Sequence, residues 1–379
     1  MINIPKWVKD LQPYKPGKPI SELVDAKNLK RIVKLASNEN PLGPSPKAIE
    51  AIKKFASESH RYVDPASTEL VKAIARKYDK KSGQIICGHG VDNLLTYYLM
   101  AFTREHDEVL TSGGTFIGLY VNTNKIGRQL TTVPLRDYSI DLNAIYSNIS
   151  PRTKIIYLAN PNNPTGTIFS RGQFEEFMIK VPKDIIVLLD EAYSEYVPPG
   201  TDLPNGTDYD YENLIVSRSF SKCHGLAGLR VGFAIGPENL IKELYKVKLT
   251  FEPNHCAQVA AAAALEDNEF IARTIELNKK SLALMIAKFD QLGIDRIESY
   301  ANFILMLMPS EEIAADFCDQ CLKRGLILRH VRPFGIANGV RINSGTEDET
   351  IFAIDVITEV YRKLLDSQTA HAGNFEDNG

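Results

Sequence analysis

The sequence SFSKCHGLAGLR, residues 219–230, follows directly on the apolar run NLIVSR and places Lys222 eight residues before Arg230. Two other apolar runs come earlier: IIVLLD ends in Asp190, and YLA leads into the turn-forming segment NPNNPTG, residues 160–166. Polar residues at the carboxyl ends of neighbouring parallel strands meet at one edge of a sheet, where α/β proteins bind ligands. We therefore predict that these three segments lie together.

Around these segments, apolar and amphipathic stretches alternate from residue 66 to about 236, which is typical of an α/β domain. The central runs are apolar without interruption, as expected for strands covered on both faces. The strand candidates are Ile85–Cys87, Glu108–Thr111, Leu130–Leu135, Lys154–Ala159, Ile185–Leu189, Leu214–Ser217 and Val231–Ile235. Helical segments such as Val91–Phe102 and Arg171–Ile179 separate several of them. We predict a large α/β domain with a mostly parallel seven-stranded sheet flanked by helices.

The two ends of the chain have a different pattern. A long helical region over 237–292 is followed by mixed strands and helices, including one strand over Leu326–Arg329, which predict a smaller α+β domain. The N-terminal arm, rich in Pro, Gly and Lys, is expected to contribute to that domain. We predict four segments: an arm over 1–45, a large domain over 46–290, a small domain over 291–365 and a disordered tail over 366–379.

The composition excludes several classes of protein. The chain has 379 residues, of which 44% are hydrophobic and 24% charged, and its net charge of −3 gives no reason to expect nucleic acid or an anionic membrane as partner. Neither a signal core nor a membrane span is apparent. Five scattered cysteines indicate free thiols and a cytoplasmic location. Cys318 and Cys321 lie within a predicted helix, so we interpret them as core residues and expect no metal site.

The three segments together contain the groups that pyridoxal phosphate (PLP) requires. Lys222 could form a Schiff base with an aldehyde, and Asp190 could keep a pyridine nitrogen protonated. Tyr193 and Asn163 could form hydrogen bonds to the ring oxygen. Each residue also has a plainer interpretation, as a surface lysine, a turn cap, a half-buried tyrosine or a turn asparagine. The combination at these separations favours a cofactor site.

A phosphate group needs donors and a positive field, and two segments could supply them. In GHGVDN the backbone N–H groups of Gly90, Val91 and Asp92 open a predicted helix, a favourable position for an anion. Side-chain donors could come from Ser219, Ser221 and Arg230. The longer GxGxxG fingerprint is absent from this segment, which disfavours a dehydrogenase.

Three further residues could complete the site. Phe116, in TSGGTF, could stack on a pyridine ring, although core packing is nearly as plausible an interpretation. Arg341, in GVRINSGT, could hold a carboxylate with two hydrogen bonds. Arg329 lies close in the sequence and is a second candidate for that task.

These segments resemble fold type I PLP enzymes, the aspartate aminotransferase superfamily, from about residue 10 to 360. Within it they are most similar to histidinol-phosphate aminotransferases. The motifs that carry the resemblance are LQPYKPGKPI, KLASNENPLGPSP, NPNNPTGT, DEAYSEY, RSFSKCHGLAGLRVGF, YANFIL and GVRINSGT. The resemblance assigns to Lys222, Asp190 and the other candidates the roles argued above.

The resemblance also implies roles that the residues alone do not. Tyr62 matches a tyrosine that reaches the cofactor phosphate of a partner subunit, which implies a homodimer with shared active sites. Tyr14 matches a tyrosine near the substrate side chain, and Asn40 lies in a loop that closes over substrate. The chain departs from the family pattern at Val63, Asn93, Gly114 and His255.

We therefore expect an aminotransferase that moves an amine from histidinol phosphate to 2-oxoglutarate in a ping-pong cycle. An aromatic or other amino acid is an alternative donor, and a decarboxylase of the threonine-phosphate type is an alternative enzyme. A non-enzymatic sensor would need a helix-turn-helix extension, for which an arm of 45 residues leaves no room. The presence of Lys222, Asp190 and Arg230 also disfavours it.

Overall fold

The computed structural model describes residues 2–11, 29 and 31–376. Its helices are α1 Lys6–Asp10, α2 Pro46–Phe55, α3 Thr68–Tyr78, α4 Val91–Phe102, α5 Ile117–Lys125, α6 Leu142–Ser147, α7 Arg171–Lys180, α8 Glu238–Val247, α9 His255–Leu265, α10 Asn268–Leu292, α11 Glu311–Lys323 and α12 Glu347–Glu376. Its strands are β1 Val33–Lys34, β2 Ile85–Gly88, β3 Glu108–Ser112, β4 Gln129–Val133, β5 Thr153–Ala159, β6 Ile186–Asp190, β7 Leu214–Ser219, β8 Gly232–Ile235, β9 Asp295–Ile297, β10 Phe303–Leu307, β11 Leu326–Ile327, β12 Arg329–His330 and β13 Gly339–Asn343.

A seven-stranded sheet in the order β2-β8-β7-β6-β5-β3-β4 forms the centre of the molecule, and every strand candidate of that region belongs to it. All its strands are parallel except β8, which is antiparallel to both neighbours. Successive residues of β6 pack into different clusters: Leu188 lies in one, and Val187 in another. Both faces of the sheet are therefore covered, which confirms the α/β prediction.

The register of the sheet explains why the polar segments meet. Ala159 on β5 pairs with Asp190 on β6, and Asp190 pairs with Ser217 on β7. The loops that follow these three strands consequently leave the sheet at the same edge. They carry the NPNNPTG, DEAY and SFSK segments.

A smaller α+β unit is formed by the ends of the chain. Its antiparallel sheet has the order β12-β13-β10-β9, and its core contains Phe289, Phe317, Ile342 and Ile357. Strand β1 of the arm pairs in parallel with β11, and the neighbouring Leu35 is buried in the same core. The arm therefore contributes to this unit, as the fold prediction required.

Several boundaries differ from the prediction. The region 237–292 divides into three helices, and the strand predicted over Leu326–Arg329 divides into β11 and β12. It divides because Leu326 and Ile327 pair with the arm, whereas Arg329 pairs with β13. Helix α12 continues to Glu376, into the segment predicted to be disordered, which contains no proline that would end it.

Helix α2 has a capped start: Ser45 Oγ accepts a hydrogen bond from Ala48 N at 3.3 Å, and Pro46 occupies the first helical position. Cys321 is buried in the core of the small unit and Cys318 packs against it, so both are packing residues as predicted. Among the described residues, no helix combines the length and apolar character that a membrane span needs.

Candidate active site

A cavity of about 760 Å³ opens at the carboxyl edge of the large sheet, against strands β12 and β13 of the small unit. This volume lies within the ordinary range for small-molecule sites. Twelve of the residues predicted from the sequence line it: Val91, Asp92, Phe116, Asn163, Asp190, Tyr193, Ser219, Ser221, Lys222, Arg230, Arg329 and Arg341. The fold therefore brings residues from four distant parts of the chain into one cavity.

Asp190 lies at the end of β6 and lines the cavity. Its Oδ2 accepts a hydrogen bond from the Tyr157 hydroxyl at 2.7 Å, and its Oδ1 accepts from Ala192 N at 3.0 Å. Burial raises the pKa of Asp190 to about 6, although both hydrogen bonds act in the opposite direction. Among the described residues no lysine or arginine forms a salt bridge with it. The cavity therefore presents a buried carboxylate that would be stabilised by a cationic partner.

Lys222 extends into the same cavity and is partly exposed to it. Its Nζ donates to Ser37 O at 3.3 Å. The surrounding protein removes water from the amine, and Arg341 and Arg230 add positive potential, so the pKa of Lys222 falls to about 8. A substantial fraction of the amine is therefore neutral near physiological pH, as a nucleophile or proton acceptor requires.

Asn163 and Tyr193 both line the cavity, and the side-chain oxygen of each accepts a hydrogen bond. Arg341 Nη1 donates to Asn163 Oδ1, and Asn38 Nδ2 donates to the Tyr193 hydroxyl oxygen at 2.9 Å. The Asn163 amide nitrogen and the Tyr193 hydroxyl proton are left as potential donors. Burial raises the pKa of Tyr193 to about 12, so the phenol keeps its proton.

The cavity lining around Arg230 suits a phosphate. Arg230 Nη1 donates to Ser221 Oγ at 3.4 Å and to Ala227 O at 3.1 Å, and the arginine forms no salt bridge with a described carboxylate. It faces the amino end of α4 closely: a Cβ added to Gly90 would lie 2.7 Å from Arg230 Nη2. The Asp92 carboxylate accepts from Asn122 and cannot donate, so Asp92 could bind an anion only through its backbone N–H group.

A second group of cations lies where the small unit meets the cavity. Arg329 on β12 pairs directly with Arg341 on β13, and the Phe334 ring lies 5.8 Å and 5.6 Å from their guanidinium carbons. Like charges on opposing strand positions repel, so an anion between them would be stabilising. Nearby, Lys34 forms a 3.0 Å ion pair with Glu39 on the cavity wall.

Four predicted residues are placed differently. Gly90 borders the cavity through Arg230 without lining it. Tyr62 lies outside it, with 83% of its surface exposed. Asn40 does not line it either: its amide donates to Cys223 O at 2.8 Å and to Thr274 Oγ1 at 3.0 Å, because its side chain turns into the protein. Tyr14 lies outside the described residues.

Sequence reasoning missed two residues that contact the predicted ones. Tyr157 bonds to Asp190, and Asn38 bonds to Tyr193. A buried tyrosine needs a partner for its hydroxyl group, so the tyrosine within the apolar run KIIYLA was a usable signal. Asn38 gave no such signal, because it is one polar residue among several in SNEN.

Comparison with known proteins identifies the family. The sequence profile described as "Aminotransferase class I and II" matches residues 30–357. The chain belongs to this aminotransferase family. The prediction of an aminotransferase and of its fold type is thereby confirmed.

Relatives of the aminotransferase cover nearly its whole length. It is 41% identical over 345 residues to "Histidinol-phosphate aminotransferase 2" of Hydrogenovibrio crunogenus, covering 90% of this chain and 92% of that one. It is 37% identical over 355 residues to "Histidinol-phosphate aminotransferase" of Caldicellulosiruptor saccharolyticus, covering 93% and 98%.

Solved structures agree with the fold. The histidinol-phosphate aminotransferase of Sinorhizobium meliloti, in complex with pyridoxal-5'-phosphate, superposes on the aminotransferase with a TM-score of 0.88 at 25% identity, covering 96% of this chain and 99% of that one. The aspartate aminotransferase of Thermus thermophilus with maleate has a TM-score of 0.82 at 21% identity, covering 95% and 100%, and shows likeness of fold alone.

Proposed function

We propose that this aminotransferase uses PLP to move an amino group from histidinol phosphate to 2-oxoglutarate in a ping-pong cycle. The observation that carries the proposal is one cavity lined by Lys222 and Asp190 together with Arg230, Arg329 and Arg341. The names of the relatives, which share 35–41% identity with this chain, support the choice of donor.

The residues present fit the proposed cofactor. Asp190 would hold the ring nitrogen, and Lys222 would bind the aldehyde carbon covalently. Asn163 and Tyr193 would donate to the ring oxygen, and Phe116 would stack on the ring. The phosphate would be held by the backbone of Val91 and Asp92 and by the side chains of Ser219, Ser221 and Arg230. The N–H group of Gly90 already donates to Gly88 O at 2.8 Å.

When bound, PLP supplies an electron-accepting ring that stabilises negative charge at the α-carbon of the donor. The protein contributes the proton transfers. Once displaced by the donor amine, the Lys222 amine would accept the α-proton, which its pKa of about 8 allows at physiological pH. Asp190 would keep the ring nitrogen charged throughout.

Arg329 and Arg341, beside the small unit, would bind the anionic groups of the proposed substrates. Arg329 and Arg341 lie opposite each other on neighbouring strands and both line the cavity. A phosphate in one half-reaction and a carboxylate in the other could be held by the same guanidinium pair. Both proposed substrates carry such an anion.

The donor is tested by mixing PLP-loaded protein with histidinol phosphate or unphosphorylated histidinol and following conversion to pyridoxamine phosphate. We expect histidinol phosphate to react with a KM at least about tenfold lower, because a charged hydrogen bond contributes about 1.5–3 kcal/mol. Arg329→Gln should remove most of this difference. Histidinol and its phosphate have no carboxylate, so the decarboxylase alternative is tested separately with threonine phosphate. Release of carbon dioxide without a keto product would then identify a decarboxylase.

Arg332→Gln is the matched control for this substitution. Arg332 is three residues away but exposed, and it forms an ion pair with Glu311 at 2.9 Å. We expect no change in the preference for the phosphorylated donor. Equal use of both donors by the unaltered protein would contradict the proposed substrate while leaving amino transfer intact.

We also propose a homodimer in which Tyr62 of each subunit reaches the cofactor phosphate of the other. Tyr62 stacks on Phe251 with ring centroids 4.3 Å apart, and Leu249 is also exposed, which makes an apolar patch suited to a second copy. The loop that carries Tyr62 is held in place: Pro65 O accepts from Lys248 Nζ at 2.6 Å and Asp64 O accepts from Gln258 Nε2 at 3.0 Å.

Sharing of sites predicts that Tyr62→Ala and Lys222→Ala proteins restore activity when their subunits are exchanged. Each hybrid dimer would hold one intact site, so about one quarter of all sites should be active after random exchange. Activity and subunit exchange would be measured together, the latter by mass spectrometry of the intact dimers. Lys222→Ala mixed with Asp190→Asn should restore nothing, because both residues come from one subunit. Failure of the first mixture despite exchange would contradict sharing.

The remaining expectations are proposals of the same kind. We propose the division into an arm over 1–45, a large domain over 46–290 and a small domain over 291–365, with the cavity between the two domains. We propose a cytoplasmic location because the cysteines are free thiols.

A further inference from the structure

We infer that Asn38 is a positioning residue that directs the hydroxyl proton of Tyr193 into the cavity. The inference rests on the proposed function, in which Tyr193 donates to the ring oxygen of the cofactor. It concerns a residue for which the sequence gave no role, in the loop where Asn40 was expected to act.

The hydrogen bond between the two side chains has a direction. Asn38 Nδ2 can only donate, so the Tyr193 oxygen accepts at 2.9 Å. The phenol proton must therefore point away from Asn38. Both residues line the cavity, and both are almost completely buried, at 1% and 3% exposure. The cavity is the remaining direction in which the proton can find an acceptor.

The backbone of Asn38 is held in one conformation, which sets the position of its side chain. This backbone lies in the left-handed region with φ of 56°, which asparagine tolerates better than most residues. Asn343 Oδ1 accepts from Asn38 N at 3.0 Å, and Asn302 Nδ2 donates to Asn38 O at 3.2 Å. Asn343 ends β13 and Asn302 directly precedes β10, so the small unit holds both the N–H and the C=O group of Asn38.

The consequence is electrostatic. A proton donated by Tyr193 stabilises negative charge on the ring oxygen of the cofactor and thus lowers the pKa of the group bound to Lys222. Without Asn38 the hydroxyl group can rotate, and this stabilisation weakens. Loss of Asn38 should therefore raise the pH midpoint at which the visible absorbance of the PLP-loaded protein changes.

The test is a pH titration of that absorbance in Asn38→Gly, Tyr193→Phe and the double variant. Glycine can adopt the same left-handed backbone conformation but lacks the side-chain amide of Asn38. We expect each single variant to raise the midpoint by about one pH unit, the equivalent of one hydrogen bond, and the double variant to rise no further than Tyr193→Phe. Asn213→Ala removes a buried asparagine whose amide donates to Ile185 O far from the cavity, and should leave the midpoint unchanged.

Other outcomes would overturn the inference. An unchanged midpoint in Asn38→Gly, or a shift that adds in full to that of Tyr193→Phe, would show that Asn38 does not act through the phenol. Should the glycine variant fail to fold, Asn38→Asp keeps the shape, and its ionised carboxylate would accept the phenol proton and raise the midpoint; no rise would again refute the inference. Wild-type protein that gains no visible absorbance with PLP would instead refute the proposed function.

Discussion

Lys222→Ala is expected to lower kcat for transfer from histidinol phosphate to 2-oxoglutarate by about 10³-fold or more. The truncation removes the cofactor-binding nucleophile and the proton acceptor in a single change, and general acid–base catalysis alone contributes about 10²–10⁴-fold. Arg230, Ser221 and the amino end of α4 remain, so PLP should still bind without a covalent link. Keto-product formation measures the loss, and the absorbance of the bound cofactor shows that the site is still filled.

Lys222→Arg distinguishes loss of the amine from loss of charge. Arginine keeps the positive charge near Asp190, but its guanidinium has no neutral form at physiological pH. We expect the arginine variant to be as inactive as the alanine variant while unfolding at a similar temperature. Turnover above about one tenth of the wild-type rate in either variant would exclude Lys222 from the chemistry, since a tenfold loss is only about 1.4 kcal/mol.

The large sheet could be predicted because its strands carry their signal locally. The residues of β6 before Asp190 are all apolar because both faces of the strand are buried, and such a run can be recognised without knowledge of its neighbours. The pairing of β1 with β11 was not readable. Each strand has two residues and they are nearly 300 positions apart, so no periodicity can develop.

Some residues of the candidate site could likewise be predicted from the sequence, and others could not. Asp190 ends β6, and Lys222 lies in the loop that follows β7, so their position at the sheet edge follows from the fold class. Asn38 lines the cavity whereas the side chain of Asn40 turns into the protein, and no local sequence pattern distinguishes the two. Tyr157 required the register of β5 against β6, since only that alignment brings its hydroxyl to Asp190.

Asp190→Asn is expected to lower kcat by about 10³-fold while leaving the fold intact. The substitution keeps the size of the side chain but removes its charge. Two opposite charges at about 4 Å interact by about 4 kcal/mol at an effective dielectric constant of about 20, which corresponds to about 10³-fold in rate. The lost electrostatic interaction is the one that keeps the ring nitrogen protonated, so the substitution should lower kcat more than it changes KM. Steady-state kinetics on PLP-loaded protein would measure both.

Tyr157→Phe tests whether charge or hydrogen bonding matters at this carboxylate. The tyrosine hydroxyl lowers the pKa of Asp190, which is about 6 with this hydrogen bond in place. Its removal should raise that pKa toward neutrality and leave the carboxyl group only partly ionised at pH 7. We expect a loss of only about tenfold at pH 7. On acidification, activity should fall at a higher pH than in the wild type, because Asp190 is protonated earlier. If the kcat of Asp190→Asn stays within tenfold of wild type, the ring nitrogen of the cofactor does not contact Asp190. If activity falls at the same acidic pH in Tyr157→Phe as in the wild type, protonation of Asp190 does not cause that fall.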